Sequence, residues 1–192
     1  MTNRPPLDGN TELIICQHLV AELEDYLQAE VLYWPVTGAN PLGNHMPQLT
    51  IGALLEATVR AEAGGAEPQA VAAVRAQHDR LRAAQPTLYS RKALHELRSR
   101  LTAWQANLQD YAQPKAQPVY AQDVRVRAKA HLLEQALGTD VPLELQRDRA
   151  QLDQQLFTRF VPGDFVWDAR LMAFFPRDPC WWLYGHLFEG RS

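Results

Sequence analysis

Leu94-His-Glu-Leu97-Arg-Ser-Arg-Leu101-Thr-Ala-Trp104-Gln-Ala-Asn-Leu108-Gln-Asp-Tyr111 decides the fold. Its large apolar residues recur at intervals of three, four, three, four and three. That spacing puts them on one helical stripe, like the a and d positions of a coiled-coil seam. A half-buried strand would instead alternate every second residue. Upstream, Val71, Val74, His78 and Leu81 follow a related spacing after Pro68, a residue suited to the first turn of a helix. From Val71 to Leu94 is 23 residues, two more than three heptads, so one straight rod through Pro86 would rotate its stripe. The spacing predicts a hairpin over residues 68 to 113 that turns near residues 85 to 90.

Outward from this hairpin the chain stays helical. Asn10 or Thr11 can cap a first helix carrying Ile15, Leu19, Leu23, Tyr26, Leu27 and Val31 on one stripe, with Pro35 ending it. Residues 35 to 50 hold three Pro and two Gly and read as a long loop. Thr50 caps a short helix that Gly64-Gly65 stops near Ala63. A fifth helix is expected over 119 to 137, with Val126, Ala130, Leu133 and Leu137 on one face and Gly138 closing it. A sixth opens near Asp140 and Pro142, directs Leu145, Leu152, Leu156 and Phe160 inward, and stops at Pro162-Gly163. The final stretch differs in kind: 10 of the 17 aromatic residues lie in the last 36 positions, interrupted by Pro162, Pro176 and Pro179.

The expected fold class is therefore all-α. Five to six helices form an irregular bundle with a coiled-coil-like hairpin and an aromatic, Pro-rich tail. One domain spans 1–192, with 1–10 a flexible N-terminus and 161–192 packed on the bundle. With 192 residues, 46% apolar and 21% charged, the chain can bury a core and is not a disordered polymer. A net charge of -3 excludes a uniformly basic nucleic-acid or membrane-surface protein. No run approaches the roughly 20 apolar residues of a membrane helix. The polar, Pro-rich start lacks the apolar centre of a signal peptide, so a cytoplasmic location and no membrane partner are expected. Cys16 and Cys180 sit in no CxxC pair and read as reduced thiols.

Charge is unevenly placed. Residues 70 to 130 hold eleven Lys and Arg against four acids, whereas residues 1 to 69 hold two against nine. Either acidic ends neutralise the basic middle, or the middle faces a polyanion through Arg91, Lys92, Arg98, Arg100, Arg125, Arg127 and Lys129. No RNP motif, zinc finger or helix-turn-helix spacing accompanies that basic segment.

Motifs that carry chemistry are sparse. There is no HExxH, Glu-x-x-His, GxSxG or phosphate-cradling glycine loop. No cofactor, metal ligand or catalytic residue is assigned. On the predicted hairpin His78 and His95 lie at similar heights, with Asp79 and Glu96 each about 100° round the helix and unable to share an ion with them. They read as a hydrogen-bonded pair, or His78 as a polar seam residue. A long loop such as 35 to 50 can hold a site, near Asn40, Asn44 and His45. Arg125 and His131 form an Arg-x5-His arrangement that resembles the HEPN ribonucleases, all-α dimers that use such a pair near a two-fold axis. The resemblance covers two residues, and Val126 stands where that family usually has a polar side chain. It implies a ribonuclease as one alternative.

The aromatic tail is the most distinctive feature. Trp167, Trp181, Trp182, Tyr184 and Phe188 are either a lid over the bundle or a docking patch for another protein or a second copy, because Trp and Tyr dominate binding hot spots. The function expected is a non-catalytic interaction or assembly subunit, with nucleic-acid binding and a helical enzyme as alternatives.

Overall fold

A computed structural model describes residues 7–37, 46–111 and 119–188. Asn40, Asn44 and His45 lie outside these residues, as do the last two positions, 112 and 113, of the expected hairpin. The described residues are mostly helical, with seven α-helices and one small two-stranded sheet. The sheet is an addition to the expected all-α class. The chain divides into two compact units, Met1–Glu96 and Leu97–Ser192.

In the first unit, α1 (Gly9–Ala21) begins one residue after Asp8. Asp8 is the cap, rather than Asn10 or Thr11: its carboxylate accepts from the Asn10 N–H at 3.0 Å and the Thr11 hydroxyl at 2.6 Å. The helix breaks at Glu22 and resumes as α2 (Leu23–Gln28), ending well before Pro35. Glu22 then holds the following segment, accepting from Trp34 Nε1 at 2.6 Å and from the Thr37 N–H at 2.9 Å. Trp34 and Leu49 pair in an isolated antiparallel bridge.

α3 (Ile51–Ala63) has the caps its sequence announces. The Thr50 hydroxyl accepts from the Ala53 N–H at 3.1 Å, and Gly64 ends the helix before Gly65 at φ +80°. Glu96, with no exposed surface, adds a second acceptor at this N-terminus, taking the Gly52 N–H at 2.8 Å. α3 packs chiefly on α1, and at one end the backbones touch: a Cβ on Gly64 would stand 2.5 Å from Gly9 Cα. Arg60 and Glu12 pair at 2.6 Å across the same two helices.

α4 (Pro68–Ala84) buries Val71, Val74 and His78, as its spacing predicts. Gln85 alone separates it from α5 (Pro86–Asp110). His78 Nε2 lies 3.0 Å from the Tyr89 hydroxyl, with ring centroids 5.5 Å apart. Eleven residues of a straight helix would hold them about 16 Å apart, so the chain axis turns at Gln85.

The second unit takes in the remainder of α5. Leu97, Leu101, Trp104 and Leu108 are buried, the stripe read from the sequence. α6 (Tyr120–Leu137) buries more than one face: Val124, Arg127, Ala128, Ala130, His131, Leu132, Leu133 and Leu137 are all covered. A short 3-10 turn, Gly138–Asp140, leads to α7 (Leu143–Phe157), which buries Leu145, Leu152 and Leu156.

The tail forms β1 (Phe160–Phe165) and β2 (Tyr184–Leu187), antiparallel, with the register shifting between Pro162 and Phe165. Gly185 is required there: a Cβ would meet Val161 O at 2.1 Å and the Phe160 ring at 2.6 Å. Between the strands Asp168 caps a 3-10 turn, Ala169–Ala173. The Tyr120 hydroxyl donates to Trp182 O at 2.6 Å and Trp167 Nε1 donates to Ala121 O at 2.7 Å, fixing the tail on α6.

Candidate functional site

Ionisable side chains converge at one place in the second unit, where α6, α7 and the tail meet. Arg127 from α6 projects inward with its side chain 3% exposed. Its guanidinium grips Asp153 of α7 through Nε at 2.9 Å and Nη2 at 3.0 Å, a bidentate pair of the stronger kind. The guanidinium carbon lies 4.9 Å from the Trp182 ring centroid, adding a cation–π contact. Arg149 also reaches Asp153, at 3.4 Å, and its Nε stands 3.1 Å from Glu134 Oε1. Glu134 Oε2 is 3.9 Å from Arg127 Nη1, which closes a ring of two cations and two anions.

His131 follows Arg127 by one turn of α6 and is buried beside it. Its Nε2 is 3.4 Å from Cys180 Sγ, and it packs against Phe175 and Trp182. Burial, with the cations Arg127 and Arg149 adding to it, pushes the imidazole down to about 4. Burial likewise pushes the Cys180 thiol up to about 11. The pair is therefore a neutral thiol beside a neutral imidazole at pH 7, without the thiolate that a cysteine nucleophile needs. Burial raises the Glu134 carboxyl above its ordinary value, against the pull of both arginines.

A cavity of about 380 Å³ opens beside the ring, lined in part by Arg127, His131, Glu134 and Arg149. Among the described residues no group of three or more His, Cys, Asp or Glu stands ready to hold a metal ion.

The aromatic candidates separate into two sets. Trp182 and Tyr184 are buried; the Tyr184 hydroxyl donates to Phe175 O at 2.8 Å. Trp167 and Trp181 are half-buried, and Phe188 is 68% exposed. Trp181 meets Phe157 and Phe160 edge to face, with centroids 5.6 Å and 5.2 Å away. Phe157 is itself 68% exposed, and the Phe188 N–H donates to Arg159 O at 2.7 Å, which brings position 188 beside this group. Phe157 is one of the ten tail aromatics but not one of the expected docking residues; α7 ends at it rather than running to Pro162-Gly163, which leaves its ring at the surface.

The basic candidates also divide. Arg91, Arg98 and Arg125 are exposed, while Arg100 and Lys129 are half-buried. Lys92 is buried in the first unit, donating to Val31 O with its Nζ 4.3 Å from the Tyr26 ring centroid. Burial, then Arg91, lowers its pKa. Arg127 is buried in the ring. Arg125 and His131, the Arg-x5-His pair, are respectively exposed and buried. Six residues of α-helix rotate them about 240° apart, so the imidazole's arginine neighbour is Arg127. His78 pairs with Tyr89, while His95 is exposed and lines a small hollow with Glu30 and Arg91.

No protein-family model, curated protein or solved structure matches the chain. No helix among the described residues is long and apolar enough to cross a membrane.

Proposed function

We propose that this chain is a non-catalytic cytoplasmic assembly subunit that binds another protein, or a second copy of itself, through the aromatic surface at Phe157, Trp181 and Phe188. The observation that carries this reading is the pair of Phe side chains, each 68% exposed, at the same end of the tail sheet as the half-buried Trp181. Large apolar side chains grouped on a surface are characteristic of interaction sites. The ionisable cluster supports the same reading, since its two arginines are balanced in charge by two carboxylates and its thiol and imidazole are neutral. The coiled-coil-like hairpin over residues 68 to 113 belongs to this proposal, supported by the turn at Gln85.

Site-specific photocrosslinking in cells tests it, with p-benzoylphenylalanine at position 157 and, as a control, at Leu143, another exposed apolar residue of α7. One discrete adduct from position 157 that disappears in Phe188→Ser is expected. No adduct at 157, or the same adducts at 157 and 143, would refute the proposal.

A further inference from the structure

We infer that the cavity beside the Arg127–Asp153–Arg149–Glu134 ring binds a small carboxylate, which takes the place of the Glu134 side chain between the two guanidinium groups. The ring is incomplete as a set of hydrogen bonds. Arg127 Nη1 and Arg149 Nε are both buried, and neither makes a hydrogen bond. Both face Glu134, which reaches one at 3.9 Å and the other at 3.1 Å without the alignment a hydrogen bond requires. Buried donors left unmade carry a desolvation penalty, and a charged donor carries the larger one. Two donors from different helices thus converge on a carboxylate too poorly placed to satisfy either.

The chemistry of the occupant follows from charge and shape. Arg127 and Arg149 are balanced by Asp153 and Glu134, and His131 is neutral. An added anion would unbalance the group unless one carboxylate withdrew. Asp153 is held at both oxygens by Arg127, whereas Glu134 makes only the two imperfect contacts and lines the cavity. A ligand monocarboxylate exchanges for it with no change in net charge and offers one oxygen to each guanidinium. A phosphate dianion would add a charge the ring does not balance. The body of the ligand has about 380 Å³, bounded by Val141 and Pro179 on apolar sides and by Gln135 and Gln146 on polar ones. That volume lies at the small end of the range of about 300 to 1,000 Å³ for small-molecule pockets.

The full chain, labelled with nitrogen-15, is titrated with sodium acetate, sodium benzoate and sodium phosphate, with sodium chloride keeping ionic strength constant. The Arg149 Nε–Hε resonance is followed. Saturable shifts with acetate and benzoate are expected. Glu134→Gln removes the competing charge and should tighten both by tenfold or more. Arg149→Gln should abolish saturation while the circular dichroism spectrum stays that of the parent. Shifts linear in concentration for both carboxylates, no tightening in Glu134→Gln, or phosphate binding tighter than either carboxylate would each overturn the inference.

Discussion

Gly9 and Gly64 meet backbone to backbone: an added Cβ on Gly9 would stand 2.6 Å from Ala66 N and from Gly64 C. No rotamer can relieve such a clash, because the obstructing atoms are main chain. Gly64→Ala and Gly9→Ala should each destabilise the chain by about 3 kcal/mol or more, beyond ordinary overpacking. Gly65, next in sequence, has open space around it and a φ of +80°. Gly65→Ala should cost only about 1 to 2 kcal/mol, the left-handed penalty. Urea unfolding of the three variants separates these two mechanisms.

Glu96 should matter as an acceptor. Glu96→Ala leaves the buried Gly52 N–H without this acceptor and should cost about 2 to 3 kcal/mol. Glu96→Gln keeps a carbonyl oxygen in reach and should cost about half of that. Equal losses in thermal unfolding would show that the charge, and not the hydrogen bond, holds α3.

His131 gives the fold a dependence on acidity. Its folded value of about 4 lies below the ordinary value of 6.5, so the unfolded chain binds the proton more readily. This contribution is complete above pH 6.5 and is lost as pH falls from there towards 4. At about 1.4 kcal/mol per unit, the loss approaches about 3.5 kcal/mol once pH is well below 4. Glu134, raised above its ordinary value, acts in the opposite sense at the acid end. The difference in unfolding free energy between the parent and His131→Gln, measured at pH 7.5 and pH 5, should shrink at the lower pH by about 2 kcal/mol.

Arg127 and Asp153 should show the asymmetry of a buried pair. Removing one partner, in Arg127→Met or Asp153→Leu, should cost about 3 to 5 kcal/mol, because the other charge stays buried. The double variant should recover much of it, since an apolar pair needs no counter-charge. A double-mutant cycle with no coupling would refute the pairing.

Trp182 and Phe157 should part company in the same assay. Trp182→Ala should cost about 3 to 5 kcal/mol through the space it leaves in the core. Phe157→Ser should change stability by less than about 1 kcal/mol and weaken association.

What could be read from the residues alone was local. The stripe from Leu97 to Leu108 and the caps Thr50 and Gly64 depend on neighbours within a few positions. Asp8 was illegible as the cap because Asp8, Asn10 and Thr11 all suit that role; α1 begins where Gly9 can lie flat on Gly64, 55 residues away. The strands were hidden because Phe160–Phe165 contains Pro and Gly, residues that argue against a strand. Arg127 counted among solvent-facing charges until Asp153 and Trp182, distant in sequence, came to rest on it.

Tyr120 and Trp182 are joined across 62 residues. A ribosome making this chain has therefore built all of α6 and α7 well before the groups that cover Arg127 and His131 emerge from its tunnel. During that interval Arg127 has Asp153 of α7 as a partner but not the Trp182 ring, and the His131 imidazole lacks Phe175, Cys180 and Trp182. Completion of this half therefore waits on the Trp182 turn and the strand Tyr184–Leu187 that follows it.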